Sequence, residues 1–188
     1  EHPAPETAMQ WLEQVRSAIP YYGLFVSVLG HFLGALGYSL LFGCGATDMV
    51  MSGLCGILGG LLNRFMDKMK VNPFFETIFS AFSMALLAYW LNTHGLVQNV
   101  NSVVIGALMI LVPGLLFTNA MRDIIYGDTN SGITRFVQVL LISMGMALGT
   151  AVAWNTSDLL WGMPHNLVEL SNPLLVTAIG SLIGCIGF

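Results

Sequence analysis

Long apolar runs separated by short polar connections make up most of the chain. The runs cover residues 21–43, 47–66, 74–91, 103–121 and 133–154, and another extends over residues 173–188. An α-helix crosses the roughly 30 Å hydrocarbon core of a bilayer with about 20 residues, so the first five runs are long enough and the last is too short. The pattern predicts an all-α integral membrane protein, a bundle of five complete transmembrane helices plus the start of a sixth.

The polar beginning of the chain predicts a surface helix. Residues 1–20 carry apolar side chains at helical spacing, with Glu6 early and Arg16 late, which suits an amphipathic helix whose charges match its dipole. The predicted domains are an N-terminal amphipathic cytoplasmic helix (1–20), a five-span transmembrane domain (21–154), an outer loop (155–172) and the truncated start of a second transmembrane repeat (173–188). Both ends are expected to continue in a longer protein.

The composition supports this class and excludes others. Hydrophobic residues make up 55% of the chain and charged residues 9%, with a mean hydropathy of +0.76, whereas soluble domains carry about 25% charged residues. The formal charge of −4 comes without a basic tract, so nucleic-acid binding is not expected. Because Cys44, Cys55 and Cys185 form no CxxC pair and no nucleotide-binding loop occurs, neither a metal nor another cofactor is expected.

All six basic residues fall on one side of the predicted membrane. They are Arg16, Arg64, Lys68, Lys70, Arg122 and Arg135. By the positive-inside rule this side is the cytoplasm. We therefore expect a multi-pass protein of the cytoplasmic (inner) membrane with its N-terminus inside.

A glycine pattern in the first run returns near the end of the chain. Gly30, Gly34, Gly37 and Tyr38 have the same spacing as Gly180, Gly184, Gly187 and Phe188. The two copies are five spans apart, an odd number, so the second would enter the membrane from the opposite side, as in an inverted-repeat transporter. The alternative is a chance match, since glycine-rich helices produce such pairs elsewhere in the chain.

The fourth run is interrupted at Pro113 and Gly114. Proline removes a backbone donor and clashes with the preceding turn, so this helix is expected to kink or break in its apolar middle. The N–H groups that begin the second half would suit a carboxylate, and exposed backbone at membrane depth needs protein or a water-filled cavity beside it. The alternative is a kink that serves packing only, because Pro and Gly are common in membrane helices.

Polar residues follow this break closely. Asn119 and Asp123 are four apart and share a helix face, where they could meet a substrate amine, with Arg122 turned about 100° away. In a second interpretation, charged residues form an ion-pair cluster that fixes a tight turn, and Asp128 or Ser131 caps the next helix. The residues of that turn are Gly127, Asp128, Ser131, Gly132 and Arg135, with Arg122 and Asp123 before it.

This segment resembles the threonine/serine exporter family. The residues that carry the resemblance are Pro113, Gly114, Asn119, Arg122, Asp123, Gly127, Asp128, Ser131, Gly132 and Arg135, and it extends more loosely to residues 40–43 and Asp48. The resemblance implies a secondary transporter that exports threonine or serine with the proton gradient, completed by a second-half domain or a partner subunit. Related two-component exporters carry dicarboxylates such as succinate, so a dicarboxylate is the alternative cargo.

Two further residues are candidates for coupling or gating, besides Asp128. His31 lies in the middle of the first run, where it could bind substrate or relay protons, or make a neutral helix-to-helix hydrogen bond. Asp48 follows a Gly-Cys-Gly turn at the outer mouth of the second run and is expected to be an N-cap or a gate acid, with the cap favoured.

Three function classes compete for this pattern. Pro113, Gly114, Asn119, Arg122 and Asp123 are the residues predicted to line a transport pathway. An intramembrane serine protease that uses Ser52 or Ser131 with His31 lacks the G-x-S-x-G elbow, so an enzyme is not predicted. A structural membrane subunit without transport activity is the remaining alternative. The expected partners are a small amino acid or dicarboxylate, protons, lipids, and the second half or partner subunit.

Overall fold

The computed structural model describes residues 23–162, together with Met9, Trp11 and Glu13. Residues 23–162 are helical apart from short connections, and they contain no strand. The elements are α1 (Leu24–Leu41), α2 (Ala46–Lys68), α3 (Pro73–Thr93), α4 (Val100–Leu108), a 3₁₀ turn (Met109–Leu111), α5 (Gly114–Ile125) and α6 (Thr129–Trp161). The prediction of an all-α chain is confirmed for this part of the molecule.

The helices correspond to the predicted membrane spans. Four of them, α1, α2, α3 and α6, are long and apolar enough to cross a membrane. The segments Val100–Leu111 and Gly114–Ile125 pass the same test as a pair bent by 53°, which makes a fifth crossing if the pair is one span. The predicted surface helix at 1–20, the sixth span at 173–188 and the second glycine pattern lie outside the described residues.

Local signals set several helix ends. Asn72 caps α3 by accepting a hydrogen bond from the N–H of Phe74 at 3.0 Å, and Pro73 follows at the first helical position. Asn99 caps α4 by accepting from the N–H of Ser102 at 3.3 Å. These polar caps satisfy main-chain donors that the helix itself leaves unpaired.

The short helix α4 lies at the centre of the bundle, packed against α1, α2 and α3. Val103 and Ala107 of α4 are fully buried. A Cβ at Gly106 would lie 2.6 Å from the Cα of Ser39, so α1 and α4 approach each other at main-chain distance. Glycine permits this contact, as is usual where membrane helices pack closely.

The last helix is longer than its predicted span. α6 has 33 residues, or about 50 Å at the usual rise, against a hydrocarbon core of about 30 Å. The helix includes residues 155–161, which the sequence assigned to the outer loop, and it ends at Gly162 with a positive φ of 57°. The polar residues in this stretch fit a helix that continues past the membrane.

The first half of α6 and the whole of α5 form a two-helix unit, which we call the arm (residues 114–144). Gly132 packs on the main chain of Ala120 and on Ile124 in α5, and the rings of Phe117 and Phe136 lie 6.2 Å apart. From Gly145 onwards α6 runs beside α3, beginning at Phe74 in the first turn of that helix. Among the described residues, α5 packs chiefly against α6, so its other side has no major helix contact within residues 23–162.

Candidate functional site

The predicted break in the fourth crossing is confirmed at Pro113. The 3₁₀ turn ends at Val112, whose φ and ψ of −64° and 123° are extended, and Pro113 follows at −80° and 58°. No side chain caps α5. The N–H of Gly114 donates to the carbonyl oxygen of Val112 at 2.8 Å, and the N–H of Phe117 donates to that of Pro113 at 3.0 Å. Between these two donors, the N–H groups of Leu115 and Leu116 have no backbone partner within residues 23–162, and they lie at the positive end of the helix dipole.

The break lies beside the crossing of α1 and α2. A Cβ at Gly56 would lie 2.6 Å from the carbonyl oxygen of His31 and 3.1 Å from the Cδ1 atom of Ile110. Because both atoms contact the same glycine, the 3₁₀ turn and His31 lie at the same level of the bundle. The structure therefore brings His31 close to the segment that leads into Pro113.

The hydrogen bond of His31 stays within its own helix, unlike the helix-to-helix bond that was one of the two alternatives. Its Nδ1 lies 2.7 Å from the carbonyl oxygen of Ser27, one turn earlier in α1, and its ring packs directly on Gly60 of α2. A carbonyl oxygen only accepts, so Nδ1 carries the hydrogen and Nε2 is the acceptor of the neutral ring. Nε2 has no hydrogen-bond partner within residues 23–162 and is not fully buried, which leaves it available to a ligand or proton.

The start of α5 faces an open surface of the described chain. Leu115 is 83% exposed, and a Cβ at Gly114 would meet nothing within 4 Å. Asn119, one turn further along α5, is half-buried. The part of the chain that the structure describes therefore supplies one wall for this region and leaves the opposite side uncovered.

Three of the four charged residues of the second interpretation form ion pairs at the tip of the arm, whereas Asp128 is not among them. The Oδ2 atom of Asp123 lies 2.7 Å from Nη1 of Arg135, and its Oδ1 lies 3.9 Å from Nε of Arg122. The side chains of Asp123, Arg135 and Arg122 are 16%, 43% and 61% exposed. Asp123 is thus held mainly by Arg135, whereas Arg122 extends into the open.

The turn itself follows the predicted chemistry. Asp128 precedes α6 and accepts a hydrogen bond from the N–H of Ser131 at 3.4 Å, so its predicted capping role is confirmed. Gly127 has a φ of 91°, a conformation that favours glycine. Asp128 therefore serves as this cap. Within residues 23–162, no other contact of Asp128 supports its predicted role in coupling or gating.

The two predicted anchors for an amino acid do not meet in one pocket. Gly114 and Asp123 are nine residues apart on the uninterrupted helix α5, which is about 14 Å. One small amino acid does not bridge that distance. The start of α5 and the tip of the arm are therefore separate points along the same helix.

Asp48 is not the cap of its own helix, so the favoured interpretation was wrong. Gly45 is the N-cap of α2, and no side chain bonds to that end. Instead both carboxylate oxygens of Asp48 accept backbone N–H groups from the α3–α4 connection: Gln98 to Oδ1 and Asn99 to Oδ2, each at 2.9 Å. Burial raises the pKa of the neighbouring Cys44 thiol to about 12, and the negative charge of Asp48 adds to the rise.

Two polar contacts between helices had no sequence signal. The buried hydroxyl of Ser52 lies 3.2 Å from the carbonyl oxygen of Ala35 in α1 and 3.3 Å from that of Val103 in α4. Ser80 of α3 donates to Oδ1 of Asn63 in α2 at 2.5 Å. The Ser52 hydroxyl is directed to main-chain oxygens and Nδ1 of His31 to Ser27, so these two side chains are not hydrogen-bonded to each other.

Comparisons with known proteins agree with the sequence resemblance. The family model for threonine/serine exporters (ThrE) matches residues 1–157. A threonine/serine exporter of Corynebacterium glutamicum is 23% identical over 160 residues, which cover 83% of this chain and 33% of that protein. The chain thus spans about a third of the length of this curated relative. No solved structure gives a significant match.

Proposed function

This chain belongs to the threonine/serine exporter family, and we propose that it forms part of a secondary transporter that exports threonine or serine across the cytoplasmic membrane, coupled to protons. The observation that carries this proposal is the 53° break between α4 and α5 inside an otherwise apolar crossing. A broken helix of this kind offers main-chain groups to polar cargo in a region where other helices offer none. The orientation with the N-terminus in the cytoplasm rests on the distribution of basic residues.

The carboxylate of an amino acid would bind at the beginning of α5. In the first turn after Pro113, the N–H groups of Leu115 and Leu116, which have no backbone partner among the described residues, lie at the positive end of the helix dipole, which favours an anion. Asn119 lies one turn beyond Leu115 and is the proposed next contact of the cargo after the beginning of α5. His31 is proposed as the proton carrier, because it lies level with the 3₁₀ turn and its Nε2 has no hydrogen-bond partner among residues 23–162.

Asp123 is the proposed partner for the substrate amine further along the pathway. In the structure it is engaged by Arg135 at 2.7 Å, so the amine would have to replace that guanidinium. The open side of the arm is the proposed place for a second-half domain or partner subunit, which would supply the other wall of the pathway. Rocking of the two parts about the broken helix would give alternating access.

A dicarboxylate such as succinate is the second candidate cargo. Its support is that Arg122 is 61% exposed on the arm, while the carboxylate of Asp123 is occupied. An exposed guanidinium can bind one of the two carboxylates of the cargo in bidentate fashion. The negative charge of Asp123 would repel that carboxylate. The two candidates therefore differ in which of two adjacent residues meets the cargo.

The test measures efflux of threonine and of succinate from loaded cells that carry the full-length protein. The variants are Asn119→Ala, Arg122→Ala and Asp123→Asn. Their matched controls are Asn155→Ala, Arg64→Ala and Asp67→Asn, which change the same residue types at exposed positions off the proposed pathway. For an amino-acid exporter we expect threonine efflux to fall at least about tenfold in Asp123→Asn and in Asn119→Ala, because each variant loses one charged or polar contact with the cargo. Loss of succinate efflux in Arg122→Ala alone would favour the dicarboxylate.

Two results would contradict the proposal. If all three pathway variants transport as well as their matched controls, these residues do not contact the cargo. If the unaltered protein moves neither compound at normal membrane levels, the structural-subunit alternative takes its place.

A further inference from the structure

A buried carboxylate joins two elements that are far apart in the chain. Asp48 lies in the first turn of α2 and is completely inaccessible, with 0% of its surface exposed. Its two oxygens accept the N–H groups of Gln98 and Asn99 at 2.9 Å each. These donors immediately precede Val100, where α4 begins, so the carboxylate ties the first turn of α2 to the start of α4.

The negative charge is held by helix ends rather than by a cation. No Lys, Arg or His within residues 23–162 forms an ion pair with Asp48. The carboxylate lies in the first turn of one helix and against the residues that precede another, so two positive dipole ends face it. The groups shown beside Asp48 are uncharged: the Cys44 thiol, whose pKa is raised, and the backbone N–H groups of Gln98 and Asn99.

A second contact fixes the same end of α4. The hydroxyl of Ser102 donates to the carbonyl oxygen of Phe42 in the α1–α2 connection at 2.8 Å. Cys44 in that connection and Asn99 in the α3–α4 connection are both buried. The two connections and the first turn of α2 therefore close together into one sealed end of the bundle, which is the outer end in the predicted orientation.

This end contains the start of α4, the half of the broken helix that packs against three other helices. α4 leads through the 3₁₀ turn to Pro113, where the pathway of the proposed function begins. If the start of α4 moved away from α2, the seal at this end would open and the break would shift with it. The contact at Asp48 is placed to prevent both.

We propose that Asp48 is a positioning residue of the exporter: its carboxylate, by accepting the N–H groups of Gln98 and Asn99, locks the start of α4 to α2 and keeps the outer end of the bundle closed. The inference rests on the proposed function for its transport consequence, but the lock itself is a structural property. Replacement by Asn presents an NH₂ group to one of the two N–H donors, so one hydrogen bond is lost and two donors face each other.

The experiment uses the full-length protein in lipid vesicles and two measurements. Hydrogen exchange followed by mass spectrometry reports on residues 96–102 and on residues 42–46, the two connections of the sealed end. Passive threonine flux without a proton gradient reports on closure of the pathway. For Asp48→Asn we expect exchange at least about tenfold faster in both segments, as for loss of a hydrogen bond to a charged group, and passive flux raised several-fold.

Control variants separate the lock from a general loss of charge or stability. Glu76→Gln removes a carboxylate from the first turn of α3, where it is half-buried, and should change neither measurement. Gln98→Pro deletes one of the two donors in an exposed connection and leaves Asp48 intact. It should change both measurements in the same direction, and it keeps the question decidable if Asp48→Asn fails to fold.

The outcomes divide clearly. Faster exchange in both segments together with raised passive flux supports the lock. Faster exchange confined to residues 96–102, with residues 42–46 and passive flux unchanged, overturns it and leaves a local cap. If the unaltered protein shows no threonine or succinate transport, the proposed function fails separately, and exchange at residues 42–46 still decides whether Asp48 closes this end.

Discussion

The ion pair between Asp123 and Arg135 allows a test of whether Asp123 serves only the turn or also the cargo. The perturbation is a charge exchange: Asp123→Arg, Arg135→Asp, and the two together. Each single change places like charges side by side at the tip of the arm. The double variant restores an opposite-charge pair in reversed order, with a guanidinium where the proposed substrate amine would bind.

The magnitude follows from the geometry. Two unit charges 2.7 Å apart attract by about 6 kcal/mol at an effective dielectric of about 20, before desolvation is counted. Arg135 is 43% exposed, so solvent screening and desolvation reduce the net coupling to about 1 kcal/mol. This is roughly a fivefold change in the unfolding equilibrium, which a double-mutant cycle resolves.

The assay combines unfolding by SDS in mixed micelles with threonine efflux. We expect each single variant to be less stable than the unaltered protein by about 1–2 kcal/mol and the double variant to regain about 1 kcal/mol. Efflux should stay low in the double variant, because Arg at position 123 repels an amine. Recovery of efflux together with stability would refute this reasoning and assign Asp123 to the turn alone, and zero coupling would show that the pair does not hold the arm together.

Three further predictions concern stability, measured by the same unfolding assay. Gly106→Ala should destabilise the protein by about 1–3 kcal/mol, since its Cβ would lie 2.6 Å from the main chain of α1. Gly114→Ala, whose Cβ would meet nothing within 4 Å, should leave the stability unchanged. Equal effects of the two variants would contradict the packing argument. Lys70→Gly should stabilise the protein by about 1 kcal/mol, because φ at this position is 54° and glycine adopts it without strain. Lys68→Gly, at the last residue of α2, should destabilise the protein, because glycine disfavours the helix. Asp128→Ala should cost about 1 kcal/mol by removing the cap of α6, and an unchanged midpoint would show that the 3.4 Å contact is not a working cap.

The helices and the break could be predicted because both depend on chemistry that is local in the chain. A bilayer demands about 20 apolar residues per crossing, so each run is visible without knowledge of its neighbours. Pro113 interrupts its helix through its own missing N–H. The cap by Asp128 was equally accessible, because its partner lies three residues away.

The contacts of Asp48 and Ser52 could not be predicted because their partners are remote in sequence. Asp48 bonds to residues about fifty positions away, and Ser52 bridges the main chains of two other helices. An acid in a first helical turn has a local explanation, the N-cap, and nothing in the sequence indicates that the α3–α4 connection returns to it. The length of α6 was not predictable for a related reason, since the polar residues before Trp161 suggest a loop although they continue the helix.

The two halves of the broken helix are held in different ways, and this difference indicates which half moves. α4 is surrounded by three helices and tied at its start by Asp48 and by Ser102. α5 packs chiefly against α6, pairs with it through Asp123, and leaves Leu115 exposed on its other side. Within the described part of the chain, displacement of α5 therefore breaks fewer contacts than displacement of α4. Because unpaired polar backbone facing lipid is costly, we expect the open side of α5 to be covered in the membrane by the proposed second half or partner subunit, and the arm to be the element that rocks against it.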